Sequence, residues 1–483
     1  MQHILIFVYA LLTLSLVSAQ DRPHIIYIIA DDVSWNDFGC YGNEVVRTPH
    51  IDALAQKGIV FRNAFLTASS CSPSRCSIIT GRYPHNTGAA ELHSPLPESQ
   101  IPFPLLLQEA GYYTVQSGKS HFGKPALRAF DHGYEMEDAG NGGEERWVQC
   151  LQERPRDQPI FAWFAATDAH RAWGADDFAT PHNPDDLNVP PYLVDNVATR
   201  QDLASYYNEI QRFDHYIGEV VAELKAQEIF DHTLIVVMAD NGMPFPRAKT
   251  RVYDSGMQTP LVLHWPNGID AQGTVCQSLV SVVDLAPTFL ELADVAIPDH
   301  LQGKSFVDLF HDPSQDFRQY VYAEHNWHDF EAHERMVRSK DFLYVRNART
   351  QFPNGGPADS KRSASQYALN AARDAGRLTP AQVDNFIAPR PHEELFNVAV
   401  DSLQLLNLAS VPLFQSTLPI YRQALDDWIA ITKDNVPDKI TADGFDRQTG
   451  ELRPSVPAFN KVPRGEMPGI KRGALTAIGT PGF

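Results

Sequence analysis

Two continuous apolar runs, each followed at once by two side chains with oxygen ligands, constrain the fold more than any other feature of this sequence. The first run ends at Asp31 and Asp32, and the second ends at Asp240 and Asn241. Unbroken apolar strands of this kind are typical of a parallel sheet that is covered on both faces. Because ligands gather beyond the carboxyl ends of such strands, we expect the four polar side chains to meet at one edge of the sheet.

Helical patterns separate these two strands. Patterns over residues 51–58 and 103–111 each end at a glycine, and apolar residues recur at helical spacing over 206–220. Alternating strands and helices predict an α/β fold with a large, mostly parallel sheet flanked by helices. Short strand patterns follow one another after about residue 312, and they predict a smaller C-terminal α+β subdomain with an antiparallel sheet.

The sequence divides into four predicted segments. An apolar run over residues 4–17 is short for a bilayer span, and the small residues that follow it resemble a cleavage region, so residues 1–19 are predicted to be a signal peptide. A retained membrane anchor is the alternative interpretation. The large domain is predicted over 20–312, the subdomain over 313–434, and a tail rich in Pro, Gly and Arg over 435–483.

Charge and cysteine content narrow the class of protein. The net charge of -19 argues against a general nucleic-acid binder, which needs a basic surface. Five cysteines in an exported chain leave at least one thiol without a disulfide partner, and that thiol is a candidate for a special role. Since the sequence has no Asn-x-Ser/Thr sequon, we expect a bacterial protein that is periplasmic or secreted, without stable membrane insertion.

The most informative motif lies at residues 71–75, which read Cys-Ser-Pro-Ser-Arg, with Thr-Gly-Arg following at 80–82. On composition alone, this segment is a turn that opens a helix and buries a cysteine. The whole string, however, resembles the signature of the type I, formylglycine-dependent sulfatases. In that family a dedicated maturation enzyme reads Cys-x-Pro-x-Arg and oxidises the cysteine, which is Cys71 here, to formylglycine.

The resemblance covers nearly the whole mature chain and implies the alkaline phosphatase-like sulfatase fold. It is strongest to the sulfamidase-like members, which hydrolyse N-sulfoglucosamine, while bacterial members of that group also act on sulfate esters of algal polysaccharides. Further motifs stand in the family's order: Thr-Pro-His-Ile-Asp at 48–52, Gly-Lys-Ser-His-Phe-Gly at 118–123, Asp-Ala-His-Arg at 168–171, Val-Pro-Pro-Tyr at 189–192 and Asp-Asn-Gly at 240–242.

A divalent metal site is the first expectation from this resemblance. Its ligands would be Asp31, Asp32, Asp240 and Asn241, together with the modified residue at Cys71. Such an oxygen set suits Ca²⁺, or Mg²⁺, rather than zinc. Either acidic pair alone would be read as a solvated loop or a helix cap. The presence of both pairs favours the metal site.

The resemblance also assigns the basic residues. Arg75 would hold the formylglycine hydroxyl and the charge on the metal side, and Lys119 would contact the sulfate. His121 would be the base for breakdown of the hemiacetal. His170 and Lys249 would lie near the leaving group, where either can protonate it. Out of this context, each would be read as a solvated or a structural side chain.

The implied mechanism is covalent and has two steps. Hydrated formylglycine is a geminal diol, and one of its hydroxyls attacks sulfur and expels the sugar hydroxyl or amine. The second hydroxyl then loses its proton as sulfate leaves and the aldehyde reforms. A serine could attack in the same way, but it lacks the second hydroxyl that releases sulfate.

The sequence specifies the substrate less closely than the reaction. Thr167, Ala169 and Lys249 depart from the sulfamidase pattern, which puts N-sulfate specificity in question more than sulfatase chemistry. The predicted substrate-binding residues near the junction of the domains are His93, His325 and Asn326, and Trp173 and Trp327 are candidates for stacking on a sugar. Surface loops with incidental polar residues are the alternative interpretation.

The leading functional hypothesis is hydrolysis of a sulfate ester on a poly- or oligosaccharide. Its partners would be the sulfated carbohydrate and a formylglycine-generating or anaerobic sulfatase-maturating enzyme. The alternatives are hydrolysis of N-sulfated glucosamine, a phosphatase or phosphonate hydrolase activity on the same fold, and a sugar-binding protein with an inactive site. The cysteine motif favours sulfate, because phosphatases of this fold usually use Ser or Thr as the nucleophile.

Overall fold

The structure is a computed structural model that describes residues 22–469. The predicted signal peptide lies outside the described residues, and the predicted tail is described up to residue 469. Within this range no helix combines the length and the apolar character that crossing a membrane requires. All five cysteines are described, and all five are free thiols.

Eight strands form the large sheet, in the order β4-β3-β5-β1-β6-β7-β2-β8. All neighbouring strands are parallel except β7, which is antiparallel to both of its neighbours. The predicted mostly parallel sheet is therefore confirmed. The strands are β1 (His24–Ala30), β2 (Ile59–Phe65), β3 (Tyr113–Gly118), β4 (His132–Glu135), β5 (Ile160–Ala165), β6 (Thr233–Ala239), β7 (Leu261–His264) and β8 (Thr274–Ser281).

Helices cover the sheet on both faces and extend into the C-terminal region. They are α1 (Pro49–Gln56), α2 (Cys71–Thr80), α3 (Pro84–Thr87), α4 (Phe103–Glu109), α5 (Trp147–Glu153), α6 (Val197–Ala226), α7 (Asp254–Met257), α8 (Leu285–Leu292), α9 (Ala358–Lys361), α10 (Ala364–Asp374), α11 (Pro380–Val383) and α12 (Leu418–Thr432). The predicted helix over 51–58 begins two residues earlier, because Pro49 occupies the first turn, where its missing N–H is no loss.

The central strand β1 shows why an unbroken apolar run is required. Ile25 and Ile29 pack into a cluster with α4 and α8, whereas Ile26 and Ile28 pack into a second cluster with α5 and α6. Successive side chains of a strand point to opposite faces, so both faces of β1 are buried. The strand therefore has no position where a polar side chain would reach water, and its carboxyl end is fixed within the core.

A four-stranded antiparallel sheet, in the order β12-β11-β10-β9, forms the predicted C-terminal subdomain. Its strands are β9 (Val321–His325), β10 (Glu334–Arg338), β11 (Phe342–Asn347) and β12 (Glu393–Asn397). The helix α12 covers one face, where the Tyr322 and Trp428 rings stack with centroids 5.3 Å apart. Sequence patterns over residues 320–324, 335–338 and 342–346 predict the first three of these strands, which the structure confirms. The limits of the four predicted segments stay a prediction.

Candidate active site

The carboxyl ends of β1 and β6 meet because these strands are parallel neighbours in register up to Ala30 and Ala239. The backbone N–H of Asp32, just beyond β1, donates to Oδ1 of Asp240, just beyond β6, at 3.1 Å. Both acidic pairs therefore lie at one edge of the sheet. Four of the predicted metal ligands are brought together in this way, although more than 200 positions separate the two pairs in the sequence.

Cys71 is the first residue of α2, and every side chain of this helix is buried. Its Sγ lies 3.7 Å from Oδ1 of Asp32. Burial raises the pKa of the Cys71 thiol well above its ordinary value, although Lys119 and Lys249 act in the opposite direction. Residue 71 thus lies against the acidic cluster at the amino end of a rigid helix, where the helix dipole favours negative charge.

Arg75 lies one helical turn after Cys71 and faces the same cluster. Its Nε donates to Oδ2 of Asp240 at 2.7 Å, and one guanidinium nitrogen lies 3.6 Å from Oδ1 of Asp31. A further nitrogen donates to the backbone carbonyl of Lys119. Because Arg75 is fully buried, the two carboxylates hold it in place and offset its charge.

Two lysines complete the charge balance of the cluster. Lys119 follows β3, and its Nζ contacts the carboxylate of Asp31. Lys249 lies in the segment after β6, and its Nζ donates to Oδ2 of Asp32 at 2.6 Å. Together with Arg75, these side chains set three cations against three buried carboxylates. A site of this composition can receive an anion without carrying a large excess of negative charge.

His170 reaches the cluster from the segment after β5. Its Nε2 lies 3.9 Å from Oδ2 of Asp32 and 3.8 Å from Oδ2 of Asp359, and about a third of its side chain is exposed. The position suits a group that exchanges a proton with a bound substrate. Sequence reasoning missed Asp359, which belongs to α9 and stands in none of the recognised motifs.

His93 and His121 form a pair at the side of the cluster. Nδ1 of His93 lies 2.9 Å from Nε2 of His121, so one ring donates and the other accepts. Burial, with further contributions from Arg464 and Lys119, lowers the pKa of His93 to about 4. Burial and Lys119 lower the pKa of His121 in the same direction. Burial therefore favours the neutral form of both rings.

Two of the predicted substrate-binding residues lie elsewhere. His325 is buried with Nδ1 against the Thr250 carbonyl, and the Asn326 amide donates to the Ala90 carbonyl at 3.2 Å. An open cleft lies above the cluster, and neither side chain belongs to the described residues that line it. They hold neighbouring loops in place, and the prediction that they bind substrate gains no support.

The two tryptophans proposed for stacking are also engaged. Trp327 is only 1 % exposed. Trp173 donates through Nε1 to Asp202 at 2.9 Å, and the Arg171 guanidinium lies over its ring, 4.4 Å from the centroid. Neither tryptophan is among the described residues that line the cleft.

The cleft above the cluster has a volume of about 1470 Å³. That volume exceeds the range of about 300–1,000 Å³ in which pockets for small ligands fall, so the cleft has room for several sugar rings. Predicted site residues line it: Asp31, His93, Lys119, His121 and His170.

The cluster fits a hard divalent cation. Asn241 is fully buried, and its Oδ1 has no hydrogen-bond partner within the described part of the chain. One ligand atom from each of Asp31, Cys71 and Asp240 lies within 4.8 Å of the others. A buried oxygen without a partner is costly. An ion bound by the carboxylates and this amide oxygen would remove that cost, and oxygen ligands are those that Ca²⁺ and Mg²⁺ prefer.

Two family models match the chain. The model described as Sulfatase matches residues 23–295, and the model described as N-sulphoglucosamine sulphohydrolase, C-terminal, matches residues 247–349. The two matches together span the large sheet and the first strands of the small one.

Individual relatives agree with the family models. The chain is 30% identical over 464 residues to human (Homo sapiens) N-sulphoglucosamine sulphohydrolase, covering 86% of this chain and 92% of the relative. It is 29% identical over 478 residues to an ulvan-active sulfatase of Formosa agariphila, covering 86% and 77%. A structure solved in complex with its substrate D-glucosamine-2-N,6-O-disulfate has the same fold, with a TM-score of 0.65, 20% identity and coverage of 85% of this chain and 98% of that one.

Proposed function

Because the chain belongs to the sulfatase family and is thus a sulfuric ester hydrolase, we propose that it hydrolyses sulfate esters on a carbohydrate through formylglycine at position 71 and a bound divalent cation. The observation that carries this proposal is the position of Cys71, the first residue of a buried helix, with its Sγ 3.7 Å from the Asp32 carboxylate. A motif that merely buried a cysteine would not require the carboxylates and cations that surround this one.

Asp31, Asp32, Asp240 and Asn241 would hold the cation, which we propose is Ca²⁺, with Mg²⁺ as the alternative. When bound, the cation would offset the negative charge of the sulfate and orient the nucleophilic hydroxyl at position 71. Formylglycine, hydrated to a diol, supplies one hydroxyl for attack on sulfur and a second hydroxyl for release of sulfate.

The chain's own basic residues would handle the charges of the substrate. Lys119 lies at the mouth of the cluster, where its ammonium group would contact a sulfate oxygen. Lys249 and His170 approach the same Asp32 carboxylate at 2.6 and 3.9 Å, so both would lie beside the leaving oxygen. His170 is the more exposed of the two and is the better placed to deliver a proton to a substrate that enters from the cleft.

N-sulfate hydrolysis on glucosamine is a second candidate function. The C-terminal match to the N-sulphoglucosamine sulphohydrolase model and the similarity to the human enzyme favour it. The ulvan-active relative favours a sulfate ester instead. Thr167, Ala169 and Lys249 depart from the sulfamidase pattern. For this reason we propose the O-sulfate ester as the main substrate.

A panel of sulfated carbohydrates separates these candidates. The mature enzyme should release sulfate from ulvan oligosaccharides faster than from N-sulfoglucosamine. Ion chromatography would measure the released sulfate, and a phosphate and a phosphonate monoester would test the other hydrolase activities. Faster release from N-sulfoglucosamine would replace the ester by the sulfamate as the main substrate, and faster hydrolysis of the phosphorus esters would contradict sulfatase specificity.

Removal of the metal should abolish turnover. Dialysis against a chelator is expected to lower kcat by at least about 100-fold, because a metal typically supplies several kcal/mol of transition-state stabilisation. Added Ca²⁺ should restore turnover and raise Tm, since an ion that binds only the folded state stabilises it. Asp240→Asn should require more Ca²⁺ for both effects. The surface variant Asp316→Asn, whose ion pair with Lys340 is exposed, should respond as the native protein does.

Maturation and export would precede catalysis. We propose that the chain is exported to the periplasm or secreted, as the apolar run over residues 4–17 suggests. A formylglycine-generating or anaerobic sulfatase-maturating enzyme would have to oxidise Cys71 before folding is complete, because the folded chain buries this residue within α2.

A further inference from the structure

The C-terminal segment over residues 435–469 is fixed against the wall of the cleft. Thr441 donates through Oγ1 to the Glu91 carboxylate at 2.8 Å, and a guanidinium nitrogen of Arg464 donates to the Leu92 carbonyl at 2.7 Å. These contacts hold the segment beside the loop that carries His93, a predicted substrate-binding residue. Side-chain hydrogen bonds therefore hold the segment beside the site.

Phe459 projects from this segment into the cleft. Phe459 and Asn460 line the cleft, and the Phe459 side chain is 57% exposed. Its ring lies 5.4 Å from the ring of His93 at an interplanar angle of 68°. His93 in turn is hydrogen-bonded to His121. Phe459 thus contacts His93, which contacts the predicted catalytic residue His121.

Packing of the segment does not explain this exposed ring. Its buried apolar anchors are Val456 and Val462, which pack against Leu92 and Trp327. What sets Phe459 apart from other exposed apolar side chains is that it lines the cleft, and aromatic side chains are typical of the lining of ligand-binding pockets. Because the two valines already anchor the segment, the ring of Phe459 is not needed for its packing and can contact a ligand.

We propose that Phe459 is the platform on which a pyranose ring of the sulfated carbohydrate stacks. A pyranose has an apolar face of C–H groups and an edge of hydroxyls. The ring of Phe459 would match the face, and the side chains of Asn141 and Asn460, which also line the cleft, would match the edge. This inference rests on the proposed function, and it gives Phe459 the stacking role that the engaged rings of Trp173 and Trp327 do not fill.

The test compares Phe459→Ala with the native enzyme on ulvan oligosaccharides and on D-glucosamine-2-N,6-O-disulfate. Loss of an aromatic contact should raise KM about tenfold for whichever of these sugars is a substrate. It should change kcat by less than about twofold, since the ring does not touch the reacting atoms. Phe459→Tyr should keep the native KM. Tyr367→Ala removes an equally exposed ring (57%) that lies outside the cleft lining, and it should leave both constants unchanged.

The outcomes separate the platform from the proposed function. An unchanged KM in Phe459→Ala, with Cys71→Ala inactive, would overturn the platform alone. A Cys71→Ala protein as active as the native enzyme would overturn the function. If no sugar is turned over, calorimetric binding of the same sugars to the native and Phe459→Ala proteins decides: equal affinity, or no binding to either, rejects the platform. A fall in Tm of Phe459→Ala relative to Tyr367→Ala would assign the ring a structural role instead.

Discussion

Replacing Cys71 with alanine should lower turnover by at least about 10⁴-fold, because removal of a covalent nucleophile typically costs that much or more. We expect the Cys71→Ala variant to remain folded, because alanine fits the first turn of α2 and only a small buried side chain is lost. Released sulfate measures the activity, and the melting temperature confirms the fold. Cys76→Ala is the matched control: it removes a thiol that is equally buried in the same helix, and it should keep nearly native turnover.

Cys71→Ser should distinguish formylglycine from an ordinary nucleophile. A serine hydroxyl can attack sulfur, and the leaving oxygen then takes the proton. The resulting serine sulfate has no second hydroxyl on its β-carbon to expel sulfate. We therefore expect less than one turnover and a sulfated peptide across residue 71 in the mass spectrum. Mass spectrometry of the native enzyme should show the aldehyde at this position. An unmodified thiol in a fully active native enzyme would contradict the proposal.

The acidic cluster beyond β1 and β6 was the most predictable part of the candidate site. Adjacent parallel strands bring their carboxyl ends to one edge, so two apolar runs that end at Asp31 and Asp240 are enough to predict that acidic side chains meet. The position of Arg75 relative to Cys71 follows from helix geometry. The helix begins at the cysteine, so Arg75 follows one turn later on the same face.

The remaining parts of the site depend on contacts between distant segments. Asp359 reaches His170, and Phe459 reaches the cleft, both from the region after β11, where neither residue type carries a local pattern. For His325 and Asn326, substrate binding stays a prediction. They stand at the end of β9, as a ligand-binding pair would, but their side chains lie against the backbone carbonyls of distant segments. Contacts between segments that are distant in the sequence leave no local pattern, so a single sequence does not predict them.

Strand β12 illustrates the same limit in the fold. The sequence of Glu393–Asn397 is Glu-Glu-Leu-Phe-Asn, in which the two apolar residues are adjacent and do not alternate with polar ones, so it fits a loop as well as a strand. Its pairing with β11 buries Leu395 against α12 and fixes the register from Phe342↔Asn397 onward. Tertiary packing, rather than intrinsic propensity, therefore makes it a strand.

Asp384→Asn should destabilise the protein by about 3 kcal/mol or more, since breaking a buried ion-pair network leaves its cations uncompensated. Asp384 lies between β11 and β12, and its carboxylate approaches Arg251 at 2.7 Å, Arg247 at 3.2 Å and Arg390 at 3.5 Å. All three guanidinium groups are buried. Asparagine keeps the volume of the side chain but removes its charge. Urea denaturation measures the loss as a lower free energy of unfolding.

The same change should reduce catalysis. Arg247 and Arg251 flank Lys249, whose Nζ contacts Asp32 at 2.6 Å. Loosening either arginine would displace Lys249, which we propose lies beside the leaving group. We expect kcat of Asp384→Asn to fall by about tenfold or more, since misplacement of a catalytic group by about 1 Å can cost 100-fold. Asp316→Asn makes the same chemical change in an exposed ion pair with Lys340 and should alter neither kcat nor stability measurably.

The pH dependence of this stability difference provides a further check. Burial alone would raise the pKa of Asp384, but Arg251, Arg390 and Arg247 outweigh burial and lower the pKa to about 2. An aspartate in the unfolded chain titrates near about 3.9. Because the folded pKa is the lower of the two, the carboxylate stabilises the fold fully above about pH 4, and this contribution is lost as the pH falls through about 2. The gap in unfolding free energy between native and Asp384→Asn should therefore stay constant from about pH 5 to 8 and narrow below about pH 4. A gap that persisted undiminished at about pH 2 would show that packing, and not the charge of Asp384, holds the Lys249 segment in place.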